Sequence, residues 1–159
     1  MSQPHPDPIH FQEKSAWAVL ISTFLIYGAY FVVIVITMSA TEERAPDNLF
    51  YLLIGAIIAQ IIALTASHIL FAVRAAPESK DERDHVIELK SDRIGGWVLG
   101  TGVMLVILTL VAGGTFGAEA DSALRLPGSF VTGNLLLMVF VLSEIVKRVS
   151  QVIYYRKGV

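Results

Sequence analysis

Four long apolar stretches constrain the fold of this chain of 159 residues more than any other feature. The first three, over residues 16–40, 49–73 and 94–118, contain no Asp, Glu, Lys or Arg, and the fourth, over residues 126–146, holds none before Glu144. A helix rises about 1.5 Å per residue, so roughly 20 apolar residues cross a hydrocarbon core about 30 Å thick. The stretches are apolar on every side, unlike the surface helices of soluble proteins. They predict a single all-α domain over residues 1–159 with four transmembrane helices.

The Lys and Arg residues lie almost entirely on one side of the predicted membrane. If the N-terminus is cytoplasmic, the inner segments hold ten of the twelve cations, and the outer connections hold only Arg44 and Arg125. Short cytoplasmic loops carry an excess of Lys and Arg, and this excess sets the orientation of the chain. Both termini are therefore predicted to face the cytoplasm, in a multi-pass protein surrounded by the lipid bilayer.

The connections predict how the spans are paired. Residues 41–48 form a short outer connection and residues 117–127 a longer one, so the four spans are expected to form two antiparallel hairpins. The inner connection, residues 74–93, contains Ser79 and Glu82 at the spacing of a capping box. No glycine or proline follows until Gly95. The third helix is therefore predicted to extend into the cytoplasm, as one helix over about residues 80–112.

The sequence lacks the residue patterns of common catalytic sites. It contains no cysteine, which excludes disulfides and thiol chemistry. It has no His-Glu-x-x-His, no Gly-x-Ser-x-Gly and no phosphate-binding glycine loop. No basic patch with interleaved aromatic residues indicates a nucleic acid partner. We expect a protein that is not an enzyme and that needs no cofactor and no metal.

Small residues recur at the spacing of helix contacts. Gly55, Ala59 and Ala63 recur every four residues in span two, and Gly96 and Gly100 do so in span three. In lipid, helix backbones approach closely only where the side chains are small. These residues are therefore predicted to pack helices, either within one chain or between the copies of a homo-oligomer. A homo-oligomer is favoured because four helices of this size enclose little volume.

Three polar residues are candidates for intramembrane chemistry: Gln60 and His68 in span two, and Glu144 near the inner end of span four. Polar side chains at membrane depth usually point into the protein, because lipid cannot satisfy them. In a structural role, Gln60 and His68 make interhelical hydrogen bonds. Glu144 then pairs with Lys147 or Arg148, three and four residues further on. In a functional role, His68 and Glu144 form a proton relay or contact a ligand.

The inner connection carries a dense group of acidic residues and a histidine. This acidic segment comprises Asp81, Glu82, Asp84, His85 and Glu88. Several of these residues are three or four positions apart and are expected to share one helix face. That face is interpreted in three ways: a solvated surface, a surface that docks a partner, or a divalent-metal site with oxygen ligands and one imidazole. The first two interpretations are preferred, and no metal is expected.

Two charged segments give the chain a resemblance to known proteins. They are Asp81-Glu82-Arg83-Asp84 before span three and Tyr154-Tyr155-Arg156-Lys157-Gly158 after span four. On these segments the chain resembles an uncharacterised family of small bacterial four-span inner-membrane proteins. The resemblance implies a location in the bacterial cytoplasmic membrane, and it supplies no reaction.

These features predict a small polytopic membrane protein that works as a non-enzymatic, oligomeric interaction or regulatory module. The inner helix over residues 80–93, which contains the acidic segment, and the cationic tail over residues 147–157 would dock a cytosolic or membrane partner, or anionic lipid. The alternative is an oligomeric transporter or channel that moves a small solute, proton or ion past His68 and Glu144. The interaction hypothesis is preferred, because the acidic segment is more distinctive than any span.

Overall fold

The computed structural model describes residues 9–40, 48–74, 82–116 and 128–157, and each of these ranges forms one helix. The helices are α1 (Ile9–Ala40), α2 (Asn48–Arg74), α3 (Glu82–Phe116) and α4 (Gly128–Lys157). Each is long and apolar enough to cross a membrane, and the described residues contain no strand. The predicted fold class, an all-α membrane protein with four transmembrane helices, is confirmed.

α3 carries its charged residues and its apolar residues in one continuous helix of 35 residues. Glu82 and Asp84 lie in its first turn, where carboxylates stabilise the partial positive charge of a helix N-terminus. At about 1.5 Å per residue the helix is about 52 Å long, well beyond the roughly 30 Å of a hydrocarbon core. A helix of this length with a charged start has room to extend beyond the membrane. Its extension into the cytoplasm stays a prediction.

The four helices pack in an open row. α1 packs against α2 and against α4, while α3 packs against α4. Among the described residues, α2 makes no close contact with α3 or α4. The order across the row is therefore α2, α1, α4, α3. The residues that would close the two predicted hairpins, 41–47 and 117–127, lie outside the described ranges, and the hairpins stay a prediction.

Polar contacts near both ends show that α1 and α4 run in opposite directions. Tyr30 of α1 bonds to Asn134, which lies near the start of α4. Glu13, near the start of α1, bonds to Arg156, near the end of α4. The two helices are therefore antiparallel neighbours along most of their length.

One buried line runs along α1, which lies between α2 and α4. Its members are three or four positions apart: Ala16, Val19, Thr23, Tyr27, Tyr30 and Ile34. Because α1 is apolar on every side within its span, hydrophobicity alone does not select this line. The line combines one small side chain, three with hydroxyl groups and two aliphatic ones, and two of its members, Thr23 and Tyr30, bond to neighbouring helices. Many large apolar side chains on all four helices are exposed, which suits a surface that faces lipid.

Glycines let α3 and α4 approach each other closely. A Cβ on Gly95 would lie 3.0 Å from Lys147 Cβ and 3.3 Å from the Ser143 carbonyl oxygen. A Cβ on Gly102 would overlap the side chain of Val139. Gly95 and Gly102 are one heptad apart, the repeat with which two helices stay in contact along a seam. The α3–α4 seam therefore passes through these two glycines.

Candidate functional site

Charged and aromatic residues of three helices meet at one end of the row. We call this region the polar end, and it comprises residues 13–17 of α1, 82–93 of α3 and 147–157 of α4. Lys147 Nζ lies 2.6 Å from Asp92 Oδ1, in an ion pair between α4 and α3. Arg156 Nε donates to Glu13 Oε1 at 2.9 Å, which joins α4 to α1. α4 thus holds both of its neighbours at the polar end.

Aromatic rings add to these contacts. Lys90 Nζ lies 5.7 Å from the centre of the Tyr154 ring. The guanidinium of Arg156 lies 5.6 Å from the centre of the Trp17 ring. Cation–π contacts contribute about 0.5–1 kcal/mol each at exposed sites. Trp and Tyr often anchor a chain at the membrane surface, and here they also hold the helices together.

Tyr155 fixes the end of α4 against the charged start of α3. Its hydroxyl donates a hydrogen bond to Asp84, and Glu88 lies within electrostatic reach. Tyr155 lies about 18 Å along the helix beyond Ser143, where the apolar run of α4 ends. Burial, followed by the carboxylates of Asp84 and Glu88, raises the pKa of the Tyr155 hydroxyl above its ordinary value. The hydroxyl therefore keeps its proton and remains a donor.

The acidic segment is divided between two sides of α3. Ile87 and Ser91 are 1% and 0% exposed, so this side of the helix lies against α4. Asp84 and Glu88 are half-buried beside Tyr155 on the same side. These two carboxylates take part in packing, whereas Glu82 and His85 are exposed and better placed to meet a partner.

The opposite side of α3 is exposed. We call it the outer face, and at the polar end it carries Glu82, His85, Val86 and Leu89. Val86 is 41% exposed and Leu89 is 69% exposed, although both lie among charged residues. Within the described ranges, no three acidic or histidine side chains come close enough together to hold a metal ion. Asp81 lies outside the described residues.

Two polar contacts join the helices within the apolar part of the row. Gln60 Nε2 donates to Thr23 Oγ1 at 3.0 Å, between α2 and α1, and both residues are buried. The Tyr30 hydroxyl donates to Asn134 Oδ1 at 2.6 Å, between α1 and α4. Asn134 Nδ2 donates to the Phe130 carbonyl oxygen, which fixes the amide. Of these four side chains, only Gln60 was a candidate from its sequence position, and Thr23, Tyr30 and Asn134 were not predicted.

His68 and Glu144 lie on different helices. The backbone of His68 belongs to α2, and its side chain is outside the described part of the structure. Glu144 is half-buried on α4, and no side-chain hydrogen bond or ion pair joins it to another described residue. Lys147 is paired with Asp92 instead. α1 lies between α2 and α4, so the described contacts do not bring His68 and Glu144 together.

The small residues singled out in the sequence mostly face outward. Gly55, Ala59, Gly96 and Gly100 are exposed, and Ala63 is half-buried. A Cβ on any of the three glycines would meet nothing within 4 Å. The glycines that pack α3 on α4, Gly95 and Gly102, lie one and two positions away. They are spaced by a heptad, whereas the predicted contact residues are spaced by four. The packing role predicted for the outward-facing residues therefore needs a surface other than this chain's own helices.

An open apolar groove of about 520 Å³ runs along the outer face of α3. It is lined by Arg93, Gly96, Trp97, Gly100, Thr101, Met104, Leu105 and Leu108. Trp97 and Met104 are 69% and 64% exposed. The groove continues the line of Val86 and Leu89 from the polar end into the apolar part of the helix.

Comparisons of the chain with protein-family models, with curated proteins and with solved structures gave no match. The resemblance to small bacterial four-span proteins therefore stays a prediction that rests on its two charged segments.

Proposed function

We propose that the chain is a non-enzymatic interaction module of the bacterial cytoplasmic membrane, with both termini in the cytoplasm. The observation that carries the proposal is the outer face of α3 at the polar end. It exposes two apolar side chains, Val86 and Leu89, on a helix whose other side packs against α4 through the buried Ile87 and Ser91. The partner is a cytosolic or membrane protein segment with apolar side chains at helical spacing.

The polar end is held firmly enough to present such a surface. Ile87 and Ser91 anchor α3 by burial, and Asp92 anchors it by an ion pair. The hydrogen bond from Tyr155 to Asp84 fixes the first turns of α3 in the same way. A preorganised surface loses little conformational freedom when a partner binds, which favours affinity.

A homo-oligomer is part of the same proposal. Gly55 and Ala59 lie exposed on α2, at one edge of the row, where a Cβ on Gly55 would meet nothing within 4 Å. Small residues on an exposed membrane helix allow a second backbone to approach closely. The edge formed by α2 is therefore the expected contact between copies.

Transport is the second candidate, and Glu144 is the observation that favours it. An ionisable residue within a membrane helix is a candidate for a transport path, and Glu144 is half-buried without a described side-chain partner. Against it, Gln60 is used in a bond between helices, and the described contacts do not bring His68 near Glu144. Interaction therefore accounts for more of the observed contacts than transport does.

In-cell photocrosslinking tests the docking proposal. A photoreactive amino acid replaces Leu89 in the full chain, and a matched variant carries it at Leu142, an apolar position of α4 that is 51% exposed. We expect a discrete protein adduct from position 89 and none from position 142. Glu82→Lys, on the same outer face, should weaken that adduct. Identical products at both positions, or no protein adduct at position 89, would refute the proposal.

Reconstitution into liposomes separates docking from transport. We expect wild-type protein to pass no more protons, measured with an enclosed pH-sensitive dye, than protein-free vesicles do. A flux that wild type supports and Glu144→Gln abolishes would establish the transport candidate instead.

A further inference from the structure

The groove along the outer face of α3 has a cationic side chain at one end and an apolar lining along most of its remaining length. Arg93 lies at its polar end, and the lining beyond Trp97 is apolar except for Thr101. Gly96 and Gly100 form its floor, since a Cβ on either would meet nothing within 4 Å. An alkyl chain can therefore lie directly against the helix backbone, between the exposed side chains of Trp97 and Met104.

The depth of the groove matches one leaflet of a bilayer. From Trp97 to Leu108 the helix rises about 16 Å, close to half of a hydrocarbon core about 30 Å thick. Trp is favoured at the boundary between the core and the head groups. Arg93 lies about one turn beyond Trp97, at the level where lipid phosphates lie. The order of residues along the groove is thus the order of groups along a phospholipid.

Arg93 is available for a phosphate. Lys147 is paired with Asp92, and Lys90 lies over the ring of Tyr154. Arg93 is exposed, and no side-chain hydrogen bond or ion pair joins it to another described residue. A guanidinium presents two parallel N–H groups that match two phosphate oxygens.

We propose that this groove binds one anionic phospholipid, with its phosphate on Arg93 and one acyl chain along Gly96, Gly100 and Met104. This proposal is independent of the docking surface at Val86 and Leu89. A second copy of the chain fits the groove less well. A two-fold contact through Gly96 and Gly100 repeats the same surface on both copies and brings the two Arg93 side chains close together. Like charges at short distance oppose that contact.

Tryptophan quenching measures occupancy of the groove directly. The chain contains two tryptophans, Trp17 and Trp97, so Trp17→Phe leaves Trp97 as the only reporter. The full-length variant is reconstituted into vesicles that contain phosphatidylglycerol or phosphatidylcholine with brominated acyl chains. Trp97 fluorescence then reports which lipid lies in the groove.

We expect brominated phosphatidylglycerol to occupy the groove about fivefold more readily than brominated phosphatidylcholine, the contribution typical of one basic residue near a membrane surface. Arg93→Gln should reduce this ratio to about one, while Arg93→Lys should retain most of it. Gly100→Leu fills the trough and should reduce quenching by both lipids, whereas Gly133→Leu on α4, at an exposed position where a Cβ would also meet nothing within 4 Å, should leave it unchanged. Far-UV circular dichroism checks that each variant is folded.

Two outcomes would overturn the proposal. One is an equal response to both lipids in the protein that retains Arg93. The other is Trp97 fluorescence that neither lipid quenches, together with crosslinking between position 97 and a second copy of the chain. That result would mean that a protein covers the groove.

Discussion

The α3–α4 seam makes a sharp prediction about two glycines that lie two residues apart. Gly102→Ala places a methyl group where Val139 already lies, with one Val139 methyl overlapping it and the other 3.0 Å away. Valine in a helix strongly prefers one χ1 rotamer, and Val139 Cβ itself would lie 3.3 Å from the new methyl group, so rotation of the side chain is costly and leaves a tight contact. We therefore expect the two helices to move apart. Gly100→Ala adds the same methyl group on the outer face, where nothing lies within 4 Å.

The difference between these two variants isolates packing. Both gain the same helix propensity, about 1 kcal/mol for Gly to Ala. Overpacking of a tight contact costs about 1–3 kcal/mol. We therefore expect Gly102→Ala to be about 1–3 kcal/mol less stable than Gly100→Ala, because the propensity gain cancels in the comparison.

Reversible unfolding in mixed micelles of a mild detergent and dodecyl sulfate, followed by circular dichroism, gives the two free energies of unfolding. Val139→Ala in the Gly102→Ala background should recover most of the loss, since it removes the overlapping methyl groups. The recovery measured in a double-mutant cycle reports the coupling of the two positions. Equal stability of the two single variants would refute the seam through Gly102. A larger loss for Gly100→Ala would place the contact on the outer face instead.

Three further outcomes follow from the polar contacts and the charge distribution. Tyr30→Phe removes the hydroxyl that bonds to Asn134 and should lower the free energy of unfolding by about 0.6 kcal/mol, the average for such bonds in membranes; no change in the micelle assay would mean that the bond contributes nothing. Because the pKa of Tyr155 is raised in the folded chain, its contribution to stability is complete below the ordinary value of 10.0 and is lost as the pH rises above it. The stability of wild type should therefore fall more steeply above pH 10.0 than that of Tyr155→Phe, and parallel curves would contradict the burial of the Tyr155 hydroxyl beside Asp84. Epitope tags at the two termini should both be protected from protease in intact spheroplasts and cleaved after permeabilisation, and cleavage of either tag in intact spheroplasts would overturn the predicted orientation.

The four helices were predictable because apolar stretches of this length without charged residues are too hydrophobic to remain in water and are typical of membrane-spanning helices. The continuity of α3 through its charged start was predictable as well, since no glycine or proline interrupts residues 80–94. Both predictions depend on local properties of the chain, which a sequence records directly.

The contacts between helices were harder to predict. In a helix that is apolar all round, the periodicity of apolar residues does not distinguish the packed side from the side that faces lipid. The prediction therefore assigned helix packing to Gly96 and Gly100, although Gly95 and Gly102 are the glycines that contact α4. The acidic segment posed a similar problem. Asp84 takes part in packing because its side of α3 lies against α4, where it meets Tyr155, whereas Glu82 lies on the exposed side. Which helices are neighbours is a property of the whole row, and no single segment encodes it.

The order of helices in the row has a consequence for biosynthesis. In the described contacts α3 packs only against α4, and α4 is the last of the four helices to be synthesised. During translation α1 and α2 can associate as soon as both are inserted. α3 has no described helix to pack against until α4 is inserted. Insertion of α4 then provides the helix that packs against both α1 and α3, and so joins α3 to the rest of the protein. Ribosome stalling before α4 emerges should therefore leave a half-assembled protein whose third helix is open to proteases and chaperones of the membrane.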